Sequence, residues 1–123
     1  MKSYLAVFTG SPDAMQNWQK LPQAERDKKE QQGTSAWKKW SDDHKSSIVE
    51  MGGPLSRTKR ISKSGIADIR NNLGAFTIVT AKSQEDAAQL FVGHPHFTIF
   101  PGDGVEVMEV LPIPEKNGPE KNK

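Results

Sequence analysis

The chain has 123 residues, 34% of them hydrophobic, with a formal net charge of +2 and no cysteine. That length suits one domain with a modest core, and the lack of thiols excludes disulfides, thiolate zinc sites and cysteine nucleophiles. So small a net charge exerts no strong pull toward nucleic acid or a membrane surface, and neither partner is expected.

KSYLAVFT (2–9) is nearly continuous in apolarity, as a strand covered on both faces would be, and so belongs at the centre of its sheet. Its apolar run is too short for a signal-peptide core or a membrane span, and the expected location is the cytoplasm. Ser11 reads as a helix N-cap with Pro12 at the first helical position, followed by the stripe Ala14, Trp18 and Leu21, which stops at Pro22. Residues 23–50 are expected to form one long polar helix, with Gly33 a weak point and MGGP (51–54) its terminator. On that helix Trp37, Trp40, His44 and Ile48 fall on one narrow stripe, away from Asp42 and Asp43.

LSRTKRIS (55–62) alternates and is largely polar, the pattern of an edge strand protected by Lys and Arg. KSGIADIRNN reads as a long connection. LGAFTIVTA (73–81) is a strand with Phe76 and Ile78 on one face and Ala75, Thr77 and Val79 on the other. Ser83 with Asp86 resembles a capping box opening a third helix, whose buried stripe is Ala87, Leu90 and Phe91. Gly93 suits the position after that helix, and Pro95 blocks its continuation. GVEVMEVLPI (104–113) is the last strand, and the charged tail 114–123 is expected to be disordered.

The order β-α(α)-β-β-α-β is the α+β, ferredoxin-like arrangement: a four-stranded antiparallel sheet with the first and third strands central, in one domain spanning 1–113. Two helices cover one face. The other carries apolar residues that need a cover, and a second copy of the sheet supplies one.

The run GGPLSRTKRISKSGIADIRNNLGAFTIVTAKSQEDAAQLFVGHPHFTIFPGDGVEVMEV resembles the YCII-related proteins, through GGPL, LGAFTIV, AKSQEDAAQLF, GHPHF and VEVMEV in that order. The resemblance extends over most of residues 2–112, most strongly 52–111. It implies a homodimer whose sheets pair in the dimeric α/β-barrel manner, with a cleft on each subunit between sheet and helix. It also implies a link to proteins that bind or transform small aromatic or lactone-like compounds. Some branches pair a His near the first strand with an Asp near the second; here no His precedes His44, and Ser56, Arg57 and Thr58 follow GGPL.

The catalytic candidates are His44, as an acid/base on the Trp37–Trp40 stripe, and Asp103 in the turn PGDG. For each the residues also allow a structural role: a hydrogen-bonded core histidine, and an Asp bonded to its own loop. Trp37, Trp40, Arg57, His94 and His96 are the ligand-binding candidates, Arg57 as a clamp for an anionic group. His94 and His96 flank a proline at a helix exit. A structural turn is the first reading there, a cleft wall the second, and a divalent-metal site with Asp103 the third. No metal or other cofactor is expected. The leading function is therefore a small-molecule binding protein or enzyme, with a site between the sheet and the 23–50 helix and a small organic or anionic ligand. The alternative is a non-catalytic homodimeric interaction or regulatory module, in which that cleft is filled by its own side chains.

Overall fold

The computed structural model describes residues 1–114, so the expected tail lies, from residue 115 onward, outside the described residues. Strand β1 (Lys2–Thr9) is followed by helices α1 (Pro12–Gln19) and α2 (Gln23–Asp43), strands β2 (Ile48–Pro54), β3 (Thr58–Ser62), β4 (Gly65–Ile69) and β5 (Leu73–Ala81), helices α3 (Gln84–Gln89) and α4 (Pro95–Thr98), and strand β6 (Gly104–Glu109). Strands β2, β5, β1 and β6, in that order, form an antiparallel four-stranded sheet. The α+β, ferredoxin-like fold is the one expected, with β1 and β5 central.

The local signals explain the first half of the helical layer. Ser11 Oγ accepts the Ala14 N–H at 3.4 Å and Pro12 occupies the first turn of α1. Ser83 Oγ accepts the Asp86 N–H at 3.1 Å at the start of α3. Gly93 takes a φ of +74° just beyond that helix, in the left-handed region where a Cβ is costly.

The stretch between α2 and β5 departs from expectation. The long helix ends at Asp43, not at residue 50, and a short 3-10 turn at Lys45–Ser47 leads into β2. Ile48 therefore sits on a strand, opposite Val79, rather than on the helical stripe. The GGP expected to stop a helix lies within the edge strand. β2 accommodates it through two register irregularities and Gly52 at a φ of +68°, where a Cβ would overlap the Phe76 carbonyl oxygen. The segment expected to be the second sheet strand instead pairs with GIADI, which had read as connection. Together they make a separate two-stranded hairpin, Thr58↔Ile69 to Ser62↔Gly65. The last strand ends at Glu109, short of the expected residue 113.

Alternation assigns the sheet faces. Tyr4, Ala6 and Phe8 face the helices beside Val79, Ala81, Ala87, Phe91 and Trp40. On the opposite face Leu5 pairs with Ile78 and with Met108, and Val7 pairs with Phe76. That second face is apolar in its middle: Val7 is buried, Leu5, Phe76 and Ile78 are partly exposed, and Met108 is exposed. Among the described residues, no helix is long and apolar enough to cross a membrane.

Candidate functional site

The space between the sheet and α2, where a cleft was expected, is filled by aromatic rings. Phe8 stacks on Trp37 with centroids 5.1 Å apart, and Trp40 packs on Phe91 at 5.1 Å. The Trp40 indole N–H donates to the Leu90 carbonyl at 2.7 Å, so its one polar atom is satisfied internally. His94 is fully buried at the centre of this box, 4.5 Å from Trp37 and 4.6 Å from Trp40. Of the residues assigned to the expected cleft, His94 and Trp40 are thus sealed in the core, and Trp37 is half-buried against Phe8.

His94 has a structural task. Pro95 does not simply end the preceding helix; it opens α4, with His94 as N-cap. Nδ1 of His94 accepts the backbone N–H of His96 at 2.9 Å, so the neutral ring carries its hydrogen on Nε2. That N–H has no hydrogen-bond partner among the described residues and lies among indole faces, where N–H···π contact is the available compensation. Burial, with minor contributions from His96 and His44, pushes the imidazole down to about 4. The two histidines do not share one side of an extended segment. Among the described residues, no group of three or more His, Asp or Glu is placed to hold a metal ion.

His44 lies at the C-terminal cap of α2, half-buried. Its Nδ1–H donates to the Trp40 carbonyl at 2.8 Å, and its ring lies 5.0 Å from Trp40. That carbonyl also accepts the His44 backbone N–H at 3.0 Å, so the ring adds a second bond to it at the helix end. Asp103 is exposed; its backbone N–H donates to the Thr9 carbonyl at 2.8 Å, and its carboxylate accepts the Ser11 hydroxyl at 3.3 Å. It ties the loop before β6 to the cap of α1.

An open groove of about 1490 Å³ lies elsewhere, where β1 ends. The start of α1 forms one wall, the base of the β3–β4 hairpin another, and the Phe100–Gly102 loop a third. Arg57 and His96, both sequence candidates, line it, together with Met15, Arg70, Leu73 and Phe100. Arg57 and Arg70 flank the last pair of the hairpin ladder, Thr58↔Ile69, one on each strand. Among the described residues neither guanidinium forms an ion pair, whereas the neighbouring Lys59 is paired with Asp68 at 2.7 Å. Two unpaired guanidiniums lining one groove suit an anionic group.

Arg70 is not legible as a site residue from sequence, where KSGIADIRNN reads as connection. The detectable signal was two five-residue runs around Lys63-Ser64, followed by Gly65, the pattern of a two-residue hairpin loop.

No family model and no curated protein matches the sequence. Among solved structures, the chain is similar to the 5-chloro-2-hydroxyhydroquinone dehydrochlorinase TftG of Burkholderia phenoliruptrix, in complex with 2,5-dihydroxybenzoquinone. The TM-score is 0.50 at 14% identity, covering 96% of this chain and 99% of the other. At that identity the likeness is one of fold.

Proposed function

We propose that the chain is a small-molecule binding protein or enzyme of the YCII-related type, and that its ligand is a small organic anion held in the groove at the end of β1. The observation that carries this reading is that Arg57 and Arg70, without ionic partners among the described residues, both line a groove that also offers Phe100, Met15 and Leu73. Cations for one end of a ligand and apolar walls for its body are the usual composition of such a site. The structural neighbour holds a compact, oxygen-rich ring, which fits the same description. The groove is larger than the roughly 300–1,000 Å³ of a typical ligand pocket, so one ring would occupy only part of it.

Thermal shift with benzoate and with 2,5-dihydroxybenzoquinone tests this. Ligand at about 100 times its Kd stabilises the native state by roughly 2.7 kcal/mol. The melting temperature should rise, and the double variant Arg57→Ala/Arg70→Ala should lose the rise. No shift with either probe, or an undiminished shift in the double variant, would remove the reading.

The filled space beneath α2 and the apolar sheet face opposite the helices favour a second reading, a homodimeric interaction module without a ligand. In that case the sheet face is functional and neither probe binds.

A further inference from the structure

His96 is held differently from the other two histidines. Its Nε2 lies 2.7 Å from the Thr9 carbonyl. A carbonyl only accepts, so Nε2 carries the hydrogen and the neutral ring keeps its lone pair on Nδ1. The Thr9 oxygen also accepts the Asp103 N–H at 2.8 Å, so the anchor is itself fixed by the loop before β6. Phe8 meets the ring edge-to-face at 5.2 Å, and Trp37 does so at 6.1 Å. Gly102 closes against it, and a Cβ there would overlap the imidazole. Among the described residues Nδ1 has no hydrogen-bond partner, and unlike His94 Nε2 it is not a buried unsatisfied atom, while the ring lines the groove. The lone pair is therefore open to whatever the groove holds. In His94 the corresponding nitrogen is occupied by a backbone N–H.

We infer that His96 is the proton acceptor of this groove, presenting a bare Nδ1 to a weakly acidic hydroxylated ring held by Arg57 and Arg70. The step moves one proton from the ligand O–H to Nδ1. The electron pair of the broken bond stays on the ligand as an aryloxide or enolate oxygen, whose charge the guanidiniums face. The ring becomes an imidazolium with Nε2–H still on the Thr9 carbonyl. No oxidant or second reactant is required. Orientation is supplied in advance, which is what makes a positioned base effective.

This inference rests on the groove being the ligand site, and the experiment separates the two. Nitrogen-15 spectra of the full chain, at a pH where the ring is neutral, should show His96 protonated at Nε2 and bare at Nδ1. 4-Nitrophenol then serves as the probe, since its colour reports its ionisation. Bound to the unaltered protein it should become nitrophenolate to a greater extent than in buffer. His96→Gln should still bind it but leave it as the phenol. The reverse tautomer, or equal nitrophenolate on His96→Gln, would overturn the assignment while leaving the groove as a binding site. Failure of nitrophenol to bind either protein would remove the groove reading and this one with it.

Discussion

The N-cap role of His94 has a consequence for acid stability. The ring sits at about 4 in the folded chain, against 6.5 for an ordinary histidine. Between those values the unfolded chain binds a proton that the folded chain does not. Stability is therefore complete above pH 6.5 and is lost as pH falls toward 4, by about 3 kcal/mol at most. Asn caps a helix by the same acceptor geometry but does not titrate. Urea midpoints for His94→Asn should thus fall less between pH 7 and pH 4.5 than those of the parent; parallel curves would refute the assignment. Gly33 offers a second test. It reads as a weak point in a helix, and Ala there would ordinarily gain about 1 kcal/mol. Here its Cβ would stand 2.5 Å from the Phe100 ring, and overpacking of that kind costs roughly 1–3 kcal/mol. Gly33→Ala should therefore destabilise the parent and stabilise a Phe100→Ala background. The same sign in both would show that Phe100 is not the obstacle.

Among the elements, the β3–β4 hairpin stands apart. It pairs only with itself, and Ile61 and Ile66, opposite one another, are 74% and 71% exposed. A two-stranded hairpin has little stability of its own in water. Its surface ion pair Lys59–Asp68 adds at most about 1 kcal/mol. Native-state amide exchange should be fast at Arg60, Ile61 and Ala67, and slow at Ala6 and Val79 in the central ladder. Binding of benzoate should slow the hairpin amides alone; slow exchange there without ligand would mean that another surface already holds it. The elements also show what a sequence can and cannot reveal. Ser11, Ser83 and Gly93 act within a few residues, and the alternation of Phe76 and Ile78 against Ala75 and Val79 needs no partner to be read. β2 was hidden because Gly52, Gly53 and Pro54 speak locally for a stop, and only pairing with β5, across more than twenty residues, makes them a strand. The site was half legible for the same reason. Arg57 and His96 declared their chemistry, but their meeting place depends on a hairpin whose second strand brings Arg70. Between the sheet and α2, five aromatic rings, including that of His94, occupy volume that spacing alone left open.

For the molecule as a whole, we propose that the sheet face opposite the helices pairs with a second copy, as the YCII resemblance implies. Leu5, Val7, Phe76, Ile78 and Met108 lie on it, and Met108 is 42% exposed. A contiguous apolar face of this kind is the usual mark of an interface. Light scattering at micromolar concentration should give twice the chain mass, and Ile78→Glu should halve it, since two buried carboxylates would face each other without partners. A parent that scatters as one chain would discard the paired-sheet arrangement. The groove experiments stand regardless of that outcome, because every residue named in the groove comes from one chain.

The central place of β1 also fixes a timetable. Its two ladders run from Tyr4 to Val79 on one side and from Tyr4 to Glu109 on the other. At about 5–20 residues per second of synthesis, the roughly one hundred residues between β1 and β6 take about 5–20 seconds to appear. During that interval α2 and then β5 become available to Tyr4, Ala6 and Phe8, but the edge that pairs with β6 has no neighbour. The local β3–β4 hairpin and the β2–β5 pairing can form earlier, because they close shorter loops than the β1–β6 pairing does. β1 is therefore the last strand to be seated on both edges, and the nascent chain carries one unpaired edge of its most apolar segment until nearly all of the sheet has been translated.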